Sequence, residues 1–253
     1  MLNTKIIKQL FGPADCVKYT LPCKPGDTVL VIAPHPDDET LGCGGIIAQM
    51  LQNDITVAVL IVTDGNGGGR MPNIKKIRMH EFECAKTVLG FTKDFRLAFP
   101  DGSLALYEDE FCEKISEILK KNSFSLIFVP YLLDYNSDHQ AVNRVLAKSL
   151  IRVDYPFVKI AMYEIWTPIT HPNCLINVSL QYEIKKEALC CYRSQESYYG
   201  IYEKAIALNA LRAKLSMRKQ VDYMECFKLL DPENYAEAAL SDIFRLEEKR
   251  GCF

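Results

Sequence analysis

Basic clusters are absent from this 253-residue sequence: 30 lysines and arginines, spread along the chain, stand against 32 aspartates and glutamates, for a net charge of −2. Binding to nucleic acid or to an anionic membrane surface requires cations gathered on one face, so neither partner is expected. Nor does any segment approach the roughly 20 apolar residues of a transmembrane helix. The opening stretch, Met1 to Thr20, is interrupted by Lys5, Lys8, Gly12 and Pro13 before the apolar core of a signal peptide can form. These absences point to a cytoplasmic protein that acts on small molecules. Ten cysteines are present, but they are scattered and no export signal accompanies them, so they read as reduced thiols. Cys190-Cys191, the one close pair, reads as packing rather than as a zinc site.

With 49% hydrophobic and 25% charged residues, the composition suits a single α/β domain over residues 1–253. Repeats, low-complexity tracts and interdomain linkers are missing. Short β-branched runs alternate with longer amphipathic stretches, the pattern of a mostly parallel sheet with crossover helices. Strands are expected at Thr28 to Ala33, Thr56 to Val62, Ser125 to Pro130 and Lys159 to Tyr163, with another near Leu175 to Val178. Helical periodicity runs over Leu41 to Leu51, Ile74 to Leu89, Glu110 to Lys121, His139 to Ile151 and Ile201 to Arg218. Residues 166–253 are less regular and read as a subregion walling one side of a cleft. The loop Gly-Asn-Gly-Gly-Gly at 65–69 follows the second strand, where α/β proteins place their sites.

Directly after the first strand comes Ala33-Pro34-His35-Pro36-Asp37-Asp38-Glu39-Thr40, then Leu41-Gly42-Cys43-Gly44-Gly45. Pro36 disfavours helix at His35, so the chain leaves the strand extended and turns before a helix starting near Thr40. Adjacent carboxylates repel unless they share a cation or a proton, and imidazole beside carboxylate is ordinary ligation for a divalent metal. One aspartate can bind while its neighbour acts as base. Solvated acids in a capping turn are the simpler reading of Asp-Asp-Glu alone; His35 and the strand-end position favour the metal. The glycines do not have the spacing of a dinucleotide fingerprint, and close packing of the first helical turn accounts for them better.

A second junction follows the strand ending at Pro130: Asp134-Tyr135-Asn136-Ser137-Asp138-His139-Gln140. Ser137 and Gln140 have capping-box spacing, which puts His139 in the first turn of a helix. If the two strands are neighbours, His35, Asp38 and His139 converge on one ion at the same sheet edge. Two of the chain's four histidines occupy such junctions; His80 lies in a helical pattern and His171 precedes a proline, and neither is given a role.

At these residues the chain resembles the PIG-L, or LmbE-like, family of zinc-dependent N-acetylglucosaminyl deacetylases. Pro34-His35-Pro36-Asp37-Asp38-Glu39 with Gly42 and Gly45 looks like the family's first signature, and Asp138-His139 with Ala141-Val142 looks like its second. Thr63-Asp64-Gly65, Arg78 with Glu81, and Pro100-Asp101-Gly102 resemble its substrate-side segments, in order. The resemblance implies a Rossmann-like fold, Zn²⁺ held by His35, Asp38 and His139, Asp37 as general base, and Arg78 and Asp101 on sugar hydroxyls or a leaving-group phosphate. Many members carry a histidine three residues before the last ligand; here that residue is Asn136, expected to donate an amide N–H to an oxyanion or to serve as a turn or cap residue. The implied substrate is an N-acetylated sugar or sugar conjugate, its exact form open, as is the oligomeric state. Two other readings exist: a non-haem iron oxygenase with a two-histidine, one-carboxylate site, and a noncatalytic ligand-binding module.

Overall fold

The computed structural model describes Thr4, Ile7, Lys8, residues 17–155 and residues 157–241. Its sheet has seven strands: β1 (Thr28–Ala33), β2 (Thr56–Thr63), β3 (Lys93–Phe99), β4 (Leu126–Pro130), β5 (Lys159–Tyr163), β6 (Cys174–Asn177) and β7 (Met224–Leu230). The spatial order is β3-β2-β1-β4-β5-β7-β6. The first five are parallel, and β7 runs antiparallel between β5 and β6. The helices are α1 (Asp38–Gln52), α2 (Ile74–Leu89), α3 (Glu108–Lys121), α4 (Ser137–Val153), α5 (Tyr182–Leu189), α6 (Arg193–Tyr199), α7 (Ile201–Leu215) and α8 (Pro232–Ala239). No helix among the described residues is long and apolar enough to cross a membrane.

Alternation along the central strands divides the core in two. Leu30 and Ile32 of β1 join Phe111, Ile115, Val142 and Leu146 beneath α3 and α4, whereas Val29, Val31 and Ala33 pack with Ile46, Phe82 and Tyr192 on the opposite face. The mostly parallel α/β sheet matches expectation, and it removes the double-sheet β architecture that an oxygenase reading would call for. Strand order reverses between β1 and β4, which pair in parallel at Val29–Leu126, Leu30–Ile127 and Val31–Phe128. A doubly wound sheet opens a crevice at the carboxyl ends of such a pair. Both histidine-bearing junctions therefore lie on one edge.

Two points differ from expectation. The first helix begins at Asp38, not near Thr40, because Asp38 and Glu39 suit the positive end of a helix dipole. Strands β3 and β7 carried no apolar signal strong enough to be read. The residues from 166 onward border the cleft through Trp166, Gln195, Tyr199 and Lys204, and β6 and β7 also complete the same sheet.

The glycines of α1 do serve packing. A Cβ at Gly42 would lie 2.1 Å from Tyr163 Cδ2, and one at Gly45 would lie 2.7 Å from Val178 Cβ. A buried ion pair enters the backbone of the same helix: Glu225 accepts from Gly45 N and Ile46 N, both at 2.8 Å, while Lys185 Nζ donates to Leu41 O at 2.8 Å and to Glu225 at 2.7 Å. Removing one member of a buried pair strands the other charge. Lys185→Met is accordingly expected to cost about 3–5 kcal/mol of stability, measured by chemical denaturation; an unchanged unfolding midpoint would show the pair to be dispensable.

Candidate metal centre and cleft

The turn after β1 sends two adjacent carboxylates to different partners. Asp37 takes φ 133°, sparsely populated by residues other than glycine, and such backbone conformations cluster at functional sites. Its amide N–H donates to Glu39 Oε2 at 3.2 Å, and Glu39 is held in turn by the Thr40 hydroxyl at 2.6 Å and by buried Tyr192. Beyond this turn Asp38 faces the histidines and Asp37 faces Arg78.

His139 lies in the first turn of α4, as expected, but the cap is Asn136 rather than Ser137. Asn136 Oδ1 accepts from Asp138 N at 2.9 Å and from His139 N at 3.4 Å. Gln140, assigned to a capping box, instead donates its side-chain amide to Asp134 O at 2.9 Å. An asparagine with extended backbone directly before the helix outcompetes the serine that follows it.

Three donor atoms converge. His35 Nδ1 is 3.1 Å from Asp38 Oδ2, His139 Nε2 is 3.3 Å from that same oxygen, and the two ring nitrogens are 3.4 Å apart. Ligands about 2.0–2.1 Å from a tetrahedral ion lie roughly 3.3–3.4 Å from one another, so the triangle has the edge lengths of one face of such a site. The far side of each ring meets a carboxylate: His35 Nε2 is 3.2 Å from Asp138 Oδ2 and 3.3 Å from Asp101 Oδ1, and His139 Nδ1 is 3.3 Å from Asp134 Oδ1, though not aligned for a hydrogen bond. Carboxylates behind metal-binding imidazoles fix tautomer and orientation. Asp138 is anchored by Gly102 N at 2.7 Å and Leu104 N at 3.0 Å, and Asp134 by Trp166 N at 3.0 Å and Thr167 N at 3.2 Å.

The local electrostatics ask for a cation. Burial opposes charge on His139, but Asp38 and Asp134 outweigh it and push its pKa up to about 9. His35 is likewise raised, with burial overcome by hydrogen bonds to Asp101, Asp138 and Asp38. Burial acts against ionised Asp38, yet His139 and His35 hold it well below the usual carboxylate range. Asp37 goes the other way, since burial lifts its pKa to about 8 against the opposing pull of Arg78.

Above this floor is a cleft of about 300 Å³, bordered by Tyr135, Asn136, Trp166, Gln195, Tyr199 and Lys204. His35, Asp37, Asp38, Arg78 and Asp101 also line it, while His139 is wholly buried. Arg78 is committed to the protein. Its Nη1 donates to Gly65 O and Asp101 Oδ2, each at 3.2 Å, and its Nη2 donates to Pro36 O at 3.0 Å and pairs with Asp37 Oδ1 at 3.3 Å. This guanidinium clamps the glycine loop, Asp101 and Asp37 together. Sequence reasoning missed the C-terminal contributors: Tyr192 on Glu39, Ser194 on Glu81, and Gln195, whose amide donates to Gly68 O at 2.9 Å. No local motif marks them.

A lysine at 78 keeps the charge but not the planar fork that reaches four groups. Arg78→Lys is therefore expected to lower turnover by about 10²-fold through misplacement of Asp37, in a steady-state assay on folded protein; wild-type turnover would remove the clamp from the argument.

Comparison with known proteins places these residues in a family. Residues 30–150 match the model described as PIG-L: GlcNAc-PI de-N-acetylase. A "Diacetylchitobiose deacetylase" of Thermococcus kodakarensis is 32% identical over 107 residues, covering 40% of each chain. A "Probable N-acetyl-alpha-D-glucosaminyl L-malate deacetylase 2" of Bacillus cereus is 29% identical over 183 residues, 66% of this chain and 83% of that one. The first curated relatives are spanned over less than two thirds of their length, 63% and 40%. Among solved structures, the N,N'-diacetylchitobiose deacetylase of Pyrococcus horikoshii shares the fold, with a TM-score of 0.68 at 24% identity over 83% of this chain and 85% of that one. Residues 30–150, which carry both histidine junctions, match the PIG-L family.

Proposed function

We propose that this protein is a metal-dependent amide hydrolase, with zinc as the metal, that removes the acetyl group from an N-acetylated amino sugar or sugar conjugate and releases acetate and the free amine. The observation that carries this reading is the donor triangle of His35 Nδ1, Asp38 Oδ2 and His139 Nε2 at 3.1–3.4 Å, beside a separate buried carboxylate. The names of the two curated relatives agree, since each describes a deacetylase whose substrate contains an N-acetylated glucosamine unit.

His35, Asp38 and His139 would hold the ion, with Asp138 and Asp134 fixing the two rings from behind. A divalent ion there supplies Lewis acidity, polarising the amide carbonyl and lowering the pKa of water from 15.7 toward about 7. Asp37 accepts the proton of the attacking water and returns it to the departing nitrogen, a task open to a buried carboxylate that lines the cleft and stands outside the donor triangle. Asn136 uses its amide oxygen as a cap, and its amide nitrogen has no protein partner among the described residues while the residue borders the cleft; that N–H donates to the developing oxyanion. Asp101 accepts from sugar hydroxyls, and Arg78 acts through Asp37 and Asp101, which it holds in place.

Acetate release from a panel of N-acetylated sugars by the zinc-loaded protein tests the reaction; a panel wholly resistant to cleavage would contradict it. His35→Ala and His139→Ala are each expected to lose most bound metal, because two donors are too few to retain it. Elemental analysis returning one ion per chain in both variants would refute the ligand set. Asp37→Asn should keep the metal while activity falls by about 10²–10⁴-fold, and near-normal turnover would transfer the base elsewhere.

Asn136 can be dissected because its two roles use different atoms. Asn136→Asp retains a good capping oxygen but has no N–H to give. Its thermal melt should stay near that of the wild type while turnover drops by about 10²–10³-fold. Full turnover would leave Asn136 as a cap alone.

A further inference from the structure

We propose that the cleft contains a second subsite, in which Lys204 pairs with an anionic group, a carboxylate or phosphate, carried by the substituent of the amino sugar, and Trp166 and Tyr199 form the wall that this substituent lies against. The inference rests on the deacetylase reading only for the sugar itself. The anion subsite follows from a census of the charges that face the cleft.

The floor is acidic, with Asp37, Asp38 and Asp101 all lining the cleft. Two cationic side chains face these acids. Arg78 has protein partners on both terminal nitrogens. Lys204, exposed in the first turn of α7, has no carboxylate at ion-pair distance among the described residues. Its ammonium instead stands 5.2 Å from the centre of the Trp166 ring, a position that the ring's quadrupole favours without using up the N–H donors. Glu164 and Glu225 border a small adjoining cavity of about 30 Å³ together with Lys204. Both are engaged elsewhere: Glu164 with Arg212 and with Ile169 N at 2.6 Å, Glu225 with Lys185 and the backbone of α1. Lys204 is thus a cation in the cleft lining that no carboxylate among the described residues pairs, free to meet an acidic group on a ligand.

The wall around it suits a small organic group. Trp166 and Tyr199 have ring centres 6.1 Å apart, inclined at 58°, and Tyr135, which also lines the cleft, is 70% exposed. Aromatic faces beside a charged head group bind the C–H surface of a substituent while the cation takes its acid. Charge also fixes direction, because the acidic floor repels an anion everywhere except at the metal and at Lys204. A substrate with its acetamide at the metal directs its acidic group toward α7.

The chain's single tryptophan is Trp166 itself, so its fluorescence reports on this subsite without any turnover. The test uses matched glucosaminides that differ in one group: the carboxymethyl and 2-phosphoethyl glycosides against the neutral 2-hydroxyethyl glycoside. Titration of zinc-loaded protein with the three amino-sugar forms should show tighter binding of at least one acidic probe by about tenfold, in the range of a charge-assisted hydrogen bond. Which acid binds tighter identifies the anion. Lys204→Met should bring the ratio of acidic to neutral affinity near unity, and Lys204→Arg should restore it. The N-acetylated forms, followed by acetate release, should show the same ratio in kcat/KM.

Equal affinities in the wild type, no binding of any probe, or an unchanged ratio in Lys204→Met would each overturn the subsite. Failure of the parent reading looks different: no acetate leaves any glycoside, while the fluorescence ratio and its loss in Lys204→Met persist.

Discussion

Positive charge is what the centre of this protein is short of, and the surrounding structure is organised by that deficit. Two imidazole nitrogens and a carboxylate oxygen stand 3.1–3.4 Å apart in a nearly closed site. Three more carboxylates, Asp134, Asp138 and Asp101, back the rings. Such a cluster is costly unless a cation or protons enter it. The elevated pKa values of both histidines describe the proton solution, and the spacing of the donors describes the metal one.

Holding that cluster together falls to backbone groups more than to other side chains. Asp138 is fixed by two amides of the 102–104 loop, Asp134 by the amides of Trp166 and Thr167, and Asp38 by the amide of His35 at 2.9 Å. The centre thereby couples β1, β4 and the loops after β3 and β5 into one rigid edge. The C-terminal third completes it from the other side. Tyr192 reaches Glu39, Ser194 reaches Glu81 and Gln195 reaches the glycine loop, while the Lys185–Glu225 pair enters the backbone of α1 just past Asp38. The helix that carries the Asp38 donor is in this way fastened to strand β7, 180 residues further along the chain.

Much of the donor set was legible because it lies where short-range rules act. Val-Leu-Val-Ile-Ala and Leu-Ile-Phe-Val-Pro declare buried parallel strands, and the proline after His35 and the asparagine before α4 mark where each strand gives way to a helix. What the sequence hides are contacts whose logic is tertiary. Strand β3, Lys-Asp-Phe-Arg-Leu-Ala-Phe, is a partly exposed edge whose charges pair with α2, so its pattern is not apolar. Strand β7 buries Glu225 and Lys228, which read as surface residues until their partners are known. Asn136 and Ser137 both offer a cap for α4 and compete on nearly equal terms, and it is the asparagine that takes the position. The four protein groups that meet the Arg78 guanidinium, Gly65 O, Pro36 O, Asp37 and Asp101, are likewise brought together only by the fold.

His35 belongs to two possible cation sites, one on each ring nitrogen: with Asp38 and His139 through Nδ1, and with Asp101 and Asp138 through Nε2. The second group is already supplied with backbone N–H donors and the Arg78 guanidinium, which leaves the first as the one that needs an ion. Anomalous diffraction at the zinc absorption edge, from crystals grown with one equivalent of zinc, separates them directly. The account predicts a single peak about 2.0–2.2 Å from His35 Nδ1, Asp38 Oδ2 and His139 Nε2; a peak between His35 Nε2, Asp101 and Asp138, with none in the donor triangle, would contradict it.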